Sequence, residues 1–288
     1  MIAALAVLAG ATACSTLRVG YDNADTLLLY TFDSYLDLDD AQTAFLRQRV
    51  KAVLAWHRAT QLRDYAAQLA AIQARIGAGN LAGAEVLGYI DLFDARLAAI
   101  GAQAAPDFAQ LGATLQPAQI DRLRAKLAQD ADKARHRVQR YAGAGGLDER
   151  VAAYVERAEP WFGSFGREQL DLIRASLAAR PGAQARWADE VEQRGRDLIR
   201  LLERQRDENP DPALAAEWMR DYFLHLSTPE DERRRSWLEE NRRDNAALIA
   251  QLINAATPKQ LNHLARRLAQ YADDFAALAA EGARAGEG

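Results

Sequence analysis

Cysteine is nearly absent: Cys14 is the only one in 288 residues. No disulfide can form within the chain, and no thiolate cluster can hold a metal. Histidine is scarce as well. His57, His136, His225 and His263 are the only four, and none pairs with another at i, i+4 or in a Glu-x-x-His motif. The residues therefore offer no metal site and no cofactor site. There is no Gly-rich phosphate loop, no nucleophile elbow and no Ser-His-Asp spacing. Aromatic residues make up only 8%, and almost no segment alternates with period two. No basic block marks a nucleic-acid footprint; acids and bases are mixed and sum to −4. Beyond the N-terminus no apolar run is long enough to span a bilayer.

What remains is rich in Ala, Leu, Arg, Gln and Glu, all strong helix formers. The expected fold is all-α, a multi-helix bundle. The length suits one large domain or two smaller ones.

Residues 1–13, MIAALAVLAGATA, form an apolar stretch that ends in small residues before Cys14. That is the form of a secretory signal. Ala11, Thr12, Ala13 and Cys14 resemble a bacterial lipobox, which implies a lipid on Cys14 and attachment to a membrane through it. The sequence departs from the motif at Ala11, where Leu is favoured, and no Lys or Arg precedes the apolar stretch. Ser15 follows the cysteine. By resemblance to lipoproteins of Gram-negative bacteria, it points to the periplasmic face of the outer membrane.

Residues 36–69 organise the rest. Asp39 is placed to cap a helix, with Gln42 at the third helical position, which is the pattern of a capping box. Apolar residues then recur every three or four positions, from Leu46 through Val50 and Val53 to His57. The stripe restarts at Leu62 and continues to Ile76, so it slips by a residue just after Trp56-His57-Arg58. A slip of that kind bends a helix. Two readings of the cluster stand side by side. It is a binding or proton-handling site, or Trp56 fills the core, His57 is a satisfied interior histidine and Arg58 pairs with a carboxylate. Asp33, Asp37, Asp39 and Asp40 crowd the entry, but lack the spacing and glycine of a calcium loop.

Along the chain, residues 14–22 are expected to be a lipidated tether. Helices are expected to stop at Pro106 and again at Pro160, and the AGAGG run at 142–146 is the best candidate boundary. This divides the protein into an N-terminal helical half, 23–145, and a C-terminal one, 146–283.

Four glutamines share a pattern. Gln42, Gln119, Gln169 and Gln260 each precede apolar residues at +4 and +8. The first two lie 77 residues apart and the last two 91. Two related halves would give this spacing. So would capping boxes that arose independently before Leu-rich helices.

The signal, Tyr21-x-Asn23-Ala24, Leu38-x-x-x-Gln42, Trp56-His57-Arg58 and Tyr65-x-x-x-Leu69 together resemble a widespread family of uncharacterised bacterial lipoproteins, over nearly the whole mature chain. Gln61-Leu62-Arg63 departs from the Glu-Leu-Pro expected there. Thr257-Pro258-Lys259-Gln260, and more loosely Leu115-Gln116-Pro117-Ala118-Gln119, resemble the Leu-Thr-x-x-Gln motif of the Spy-type periplasmic chaperones. Those are small helical proteins that hold unfolded clients without ATP. The expectation is a non-catalytic, membrane-anchored interaction or chaperone-like protein of the envelope, with unfolded or envelope proteins as partners. The alternative is an envelope-polymer hydrolase that uses His57 with a carboxylate.

Overall fold

The computed structural model describes residues 16–143 and 145–285. Cys14 and the signal stretch lie outside the described residues. Among the described residues the chain forms helices and no strand. In order they are α1 (Thr16–Asp22), α2 (Ala24–Leu36), α3 (Asp40–Thr60), α4 (Leu62–Gly77), α5 (Gly83–Gly112) and α6 (Pro117–Arg140). There follow α7 (Gly146–Phe162), α8 (Arg167–Ala178), α9 (Ala183–Glu208), α10 (Pro212–His225), α11 (Glu232–Asn254) and α12 (Pro258–Ala285). The all-α expectation holds.

The architecture repeats. In one corner the α2–α3 turn docks on the α5–α6 turn, with α2 against α3 and α6, and α3 against α5. In the other corner α7, α8, α11 and α12 reproduce those contacts, α7 lying against α8 and α12, and α8 against α11. The connecting helices are exchanged between the corners. Helix α4 leaves the first corner and packs along α12 of the second, while α9 leaves the second and packs along α6 of the first. Helices α5 and α11 face each other in the middle, and α10 lies on α5.

The hydrophobic clusters follow these corners and cut across the 145/146 division. One joins Leu46, Val50, Ile120 and Leu123 with Ile199, Leu202 and Met219. Another joins Ile76, Leu81 and Val86 with Ile173, Leu252 and Leu268. Each draws on both sides of the AGAGG run because α4 and α9 cross over and α5 packs on α10 and α11.

Two prolines expected to stop helices lie inside them, Pro106 in α5 and Pro160 in α7. An interior proline removes one backbone hydrogen bond and costs about 3 kcal/mol. In α5 the buried stripe of Ala104, Ala105, Ala109 and Leu111 offsets it, since ending the helix at 105 would expose that face. Residues 16–22, expected as tether, are helical. The phase slip after His57 is a break at Gln61, where φ is −109° and ψ is −37°. Backbone bonds continue across it, from the Gln61 N–H to the His57 carbonyl and from the Tyr65 N–H to the Gln61 carbonyl. The Gln61 side chain is buried and accepts from Arg96 Nη1 at 3.2 Å, so α5 fixes the bend.

A buried ion-pair network ties α9 to α11. Glu190, whose side chain is 3% exposed, meets Arg234 twice, at 2.9 and 3.0 Å, and Arg194 at 2.8 Å. Burial alone would raise the Glu190 carboxyl pKa, but the two guanidinium groups outweigh it and hold the pKa below the ordinary value. Arg194 also donates to the Leu226 carbonyl at the end of α10.

Candidate functional site

The four glutamines fall at equivalent corners and meet in pairs. Each side-chain oxygen accepts from the backbone N–H of its own cap residue: Asp39 at 3.1 Å, Gln116 at 2.9 Å, Gly166 at 3.1 Å and Thr257 at 2.9 Å. A cap side chain returns the bond only at Asp39 and Thr257, so two boxes are complete and two are half-made. The amide nitrogens reach across. Gln42 donates to Gln119 at 3.1 Å and receives from it at 2.7 Å; Gln260 and Gln169 exchange the same bonds at 2.9 and 3.4 Å. The second hydrogen of each amide goes to a carbonyl at the facing turn of the same corner, at Thr114, Asp37, Ser164 or Leu252. Every donor and acceptor is used, and nothing remains to hold a ligand. These residues clamp helix corners together.

The Trp56-His57-Arg58 cluster lies where α1, α3, α4 and α12 meet. His57 sits between two tyrosines, with Nδ1 2.9 Å from the Tyr21 hydroxyl and Nε2 3.2 Å from that of Tyr65. One hydroxyl donates to the bare nitrogen and the other accepts from the protonated one, so a neutral ring satisfies both. Burial lowers the pKa of His57 to about 4 and pushes that of Tyr21 up to about 12, against the pull of Arg58. Arg58 lies over the Tyr21 ring, 5.0 Å from its centre, and pairs with Asp22 at 3.2 Å and Glu281 at 3.8 Å. The helix backbone at Gly282 packs on the Arg58 stem, leaving no room for a side chain. Beneath the cluster Leu62 and Leu278 are fully buried beside Tyr65 and Phe275. Trp56 departs from the core role suggested for it: it is half-buried on the flank, tilted against His57. The kink at Gln61 turns α4 so that Tyr65 reaches back to His57.

Neither ring nitrogen of His57 meets a carboxylate. A general base needs a partner to orient it and a pKa near the working pH; this ring is held by phenols and stays neutral. Among the described residues no group of His, Cys, Asp and Glu side chains could hold a metal, and no helix is long and apolar enough to cross a membrane.

A feature that the sequence did not disclose lies at the crossing of the two corners. It is a cleft of about 760 Å³, open on one side and walled by parts of α4 to α9, α11 and α12. Its floor is buried and apolar, formed by Ile76, Val86, Phe162, Ile253, Leu264 and Leu268. Trp161, Trp187 and Trp237, three of the chain's five tryptophans, stand in its walls. Sites for small molecules have this character, about 300–1,000 Å³ and mostly apolar with a few polar groups. The residues come from positions 72 to 268 with no shared spacing, so no local pattern could have marked them.

The fold and these sites define an all-helical protein of two clamped, exchanged corners around an open apolar cleft. Residues 34–223 match a family of unknown function, DUF6279, and the chain belongs to that family. The match takes in the first glutamine pair, the His57 cluster and much of the cleft. No curated protein and no solved structure matches the chain.

Proposed function

We propose that this protein is a lipoprotein of the bacterial envelope, anchored by lipid on Cys14 at the periplasmic face of the outer membrane. It works by binding, as an interaction or chaperone-like protein, and catalyses no reaction. The observation that carries this reading is the cleft, a large apolar recess with aromatic walls in a small helical protein. Natural cores are packed to few voids larger than a water molecule, so such a recess is expected to have an occupant. The neutral, doubly bonded state of His57 supports the non-catalytic side. The first helix follows Cys14 closely and is pinned to α12 by Arg18 and Glu281, so a lipid there would hold the folded body close to the bilayer.

The test is binding of a neutral apolar fluorophore, N-phenylnaphthylamine, to the full chain carrying Cys14→Ser, kept free of detergent. Saturable binding that Ala158→Trp abolishes by filling the cleft is the expected result. Absence of saturable binding overturns the binding role. Cell fractionation tests the anchor: Cys14→Ser should move the protein from the membrane pellet to the soluble fraction, and retention in the pellet would place the anchor elsewhere.

A further inference from the structure

The charged side chains that line the cleft are all of one sign. Its lining includes Arg137, Arg157 and Arg180 and no Asp or Glu. In a chain with more acids than bases, that segregation is local. Arg137 and Arg157 stand exposed at the mouth, and among the described residues neither side chain has a hydrogen-bond or ion-pair partner. Arg180 is mostly buried and held in place. It donates to the Ser176 carbonyl and hydroxyl at 3.2 and 2.9 Å and to Asn245 Oδ1 at 3.1 Å, while the Asp244 carboxylate lies 3.8 Å away, outside the lining. Tyr154 shares this lining, feels the charges of Arg180 and Arg157, and its hydroxyl makes no hydrogen bond among the described residues. Asn241 and Asn245 add polar amides to the wall, while the floor below is carbon.

The geometry points to an anionic amphiphile as the occupant: a single acyl chain on the apolar floor, with a carboxylate or phosphate head between Arg157, Arg137 and Tyr154 at the mouth. An acyl chain brings no polar group into the floor that would need a partner. A peptide brings an N–H and a carbonyl at every residue, and each costs free energy if left unpaired. The guanidinium fork suits carboxylate and phosphate equally. This inference rests on the binding role proposed above and adds the class of ligand.

The test uses the full chain carrying Cys14→Ser, free of detergent, with cis-parinaric acid as the probe. Its polyene takes up energy from tryptophan, and Trp161, Trp187 and Trp237 line the cleft. Palmitate and hexadecyl phosphate should displace it at least tenfold better than monopalmitoylglycerol, and hexadecyltrimethylammonium should be weaker still. Comparing the two anions ranks a free acid against a phosphate head. Affinity should rise about three- to fourfold per added methylene until the floor is full. Arg137→Gln with Arg157→Gln should cut the anion-over-neutral preference to threefold or less. If the neutral probe of the previous section binds but anionic, neutral and cationic chains compete alike, the ligand class is overturned and the binding role stands. If neither probe binds, both fall. If an unfolded amphipathic peptide displaces parinarate better than every single-chain lipid, the occupant is a protein segment and this inference fails.

Discussion

Gln42 and Gln119, 77 residues apart, hold each other by two amide hydrogen bonds running in opposite directions. Each therefore both caps its own helix and clamps another one. Removing either amide strands its partner's donor and acceptor in a half-buried corner. Gln42→Ala or Gln119→Ala should cost about 1–3 kcal/mol, the range for an unsatisfied buried polar group. The double variant should cost clearly less than the sum, since the second change removes a group already orphaned. Gln169 and Gln260 should behave alike, whereas Gln42→Ala with Gln169→Ala should add. Denaturant melts of the singles and doubles decide this, and additivity within a pair would contradict the clamp.

The His57 environment sets a pH dependence. Its folded pKa, about 4, lies below the unfolded value of about 6.5. Between those values the unfolded chain binds more protons, so stability falls as the pH is lowered from 6.5 to 4. Above 6.5 the contribution is fully present, and below 4 it is lost. His57→Gln should flatten this part of the curve of unfolding midpoint against pH. A variant curve parallel to the wild type would show that other groups carry the slope.

Two glycines of α5 should respond oppositely to alanine. A Cβ at Gly101 would lie 2.7 Å from Cβ of Phe223 and 2.8 Å from its ring, while one at Gly88 would meet nothing within 4 Å. Gly88→Ala should gain about 0.5–1 kcal/mol from helix propensity. Gly101→Ala has the same gain to offset but forces α10 away from α5, and overpacking of this kind costs about 1–3 kcal/mol. Thermal melts should move in opposite directions, and a rise for both would place α10 farther from α5 than described.

Glu190→Ala should be among the most damaging single changes to a charged residue. It leaves Arg194 and Arg234 without their buried partner, and breaking such a pair costs about 3–5 kcal/mol. Exposed Glu208, paired with Arg204, is the control and should cost less than about 1 kcal/mol. Equal losses in chemical denaturation would show that burial of Glu190 does not matter.

The helices were legible because each is a local matter of propensity and period. The caps were too: Asp39-x-x-Gln42 and Thr257-x-x-Gln260 announce the oxygen's role in sequence. The second role of the same side chains was not, because the amide nitrogen's partner is set by docking of two turns far apart in sequence. The His57 cluster shows the same division. The phase slip marked the bend at Gln61, but Tyr21, which receives one ring nitrogen, lies 36 residues upstream on another helix. Pro106 misled for a related reason: its local cost is real, and only tertiary burial of Ala109 and Leu111 after it decides the outcome. The cleft was invisible because it is a property of the crossing and of no single helix.

The exchange of α4 and α9 also bears on the order in which the molecule can acquire its structure. Helix α4 finds its long partner in α12, the last of the described helices in chain order. During synthesis, therefore, the apolar face that carries Leu69, Ile72 and Ile76 has no partner until Pro258–Ala285 has been made. Contacts of such sequence separation slow folding, since loop closure must precede any gain from them. A chain truncated before residue 258 would leave this face bare, and the exposed stripe would favour aggregation.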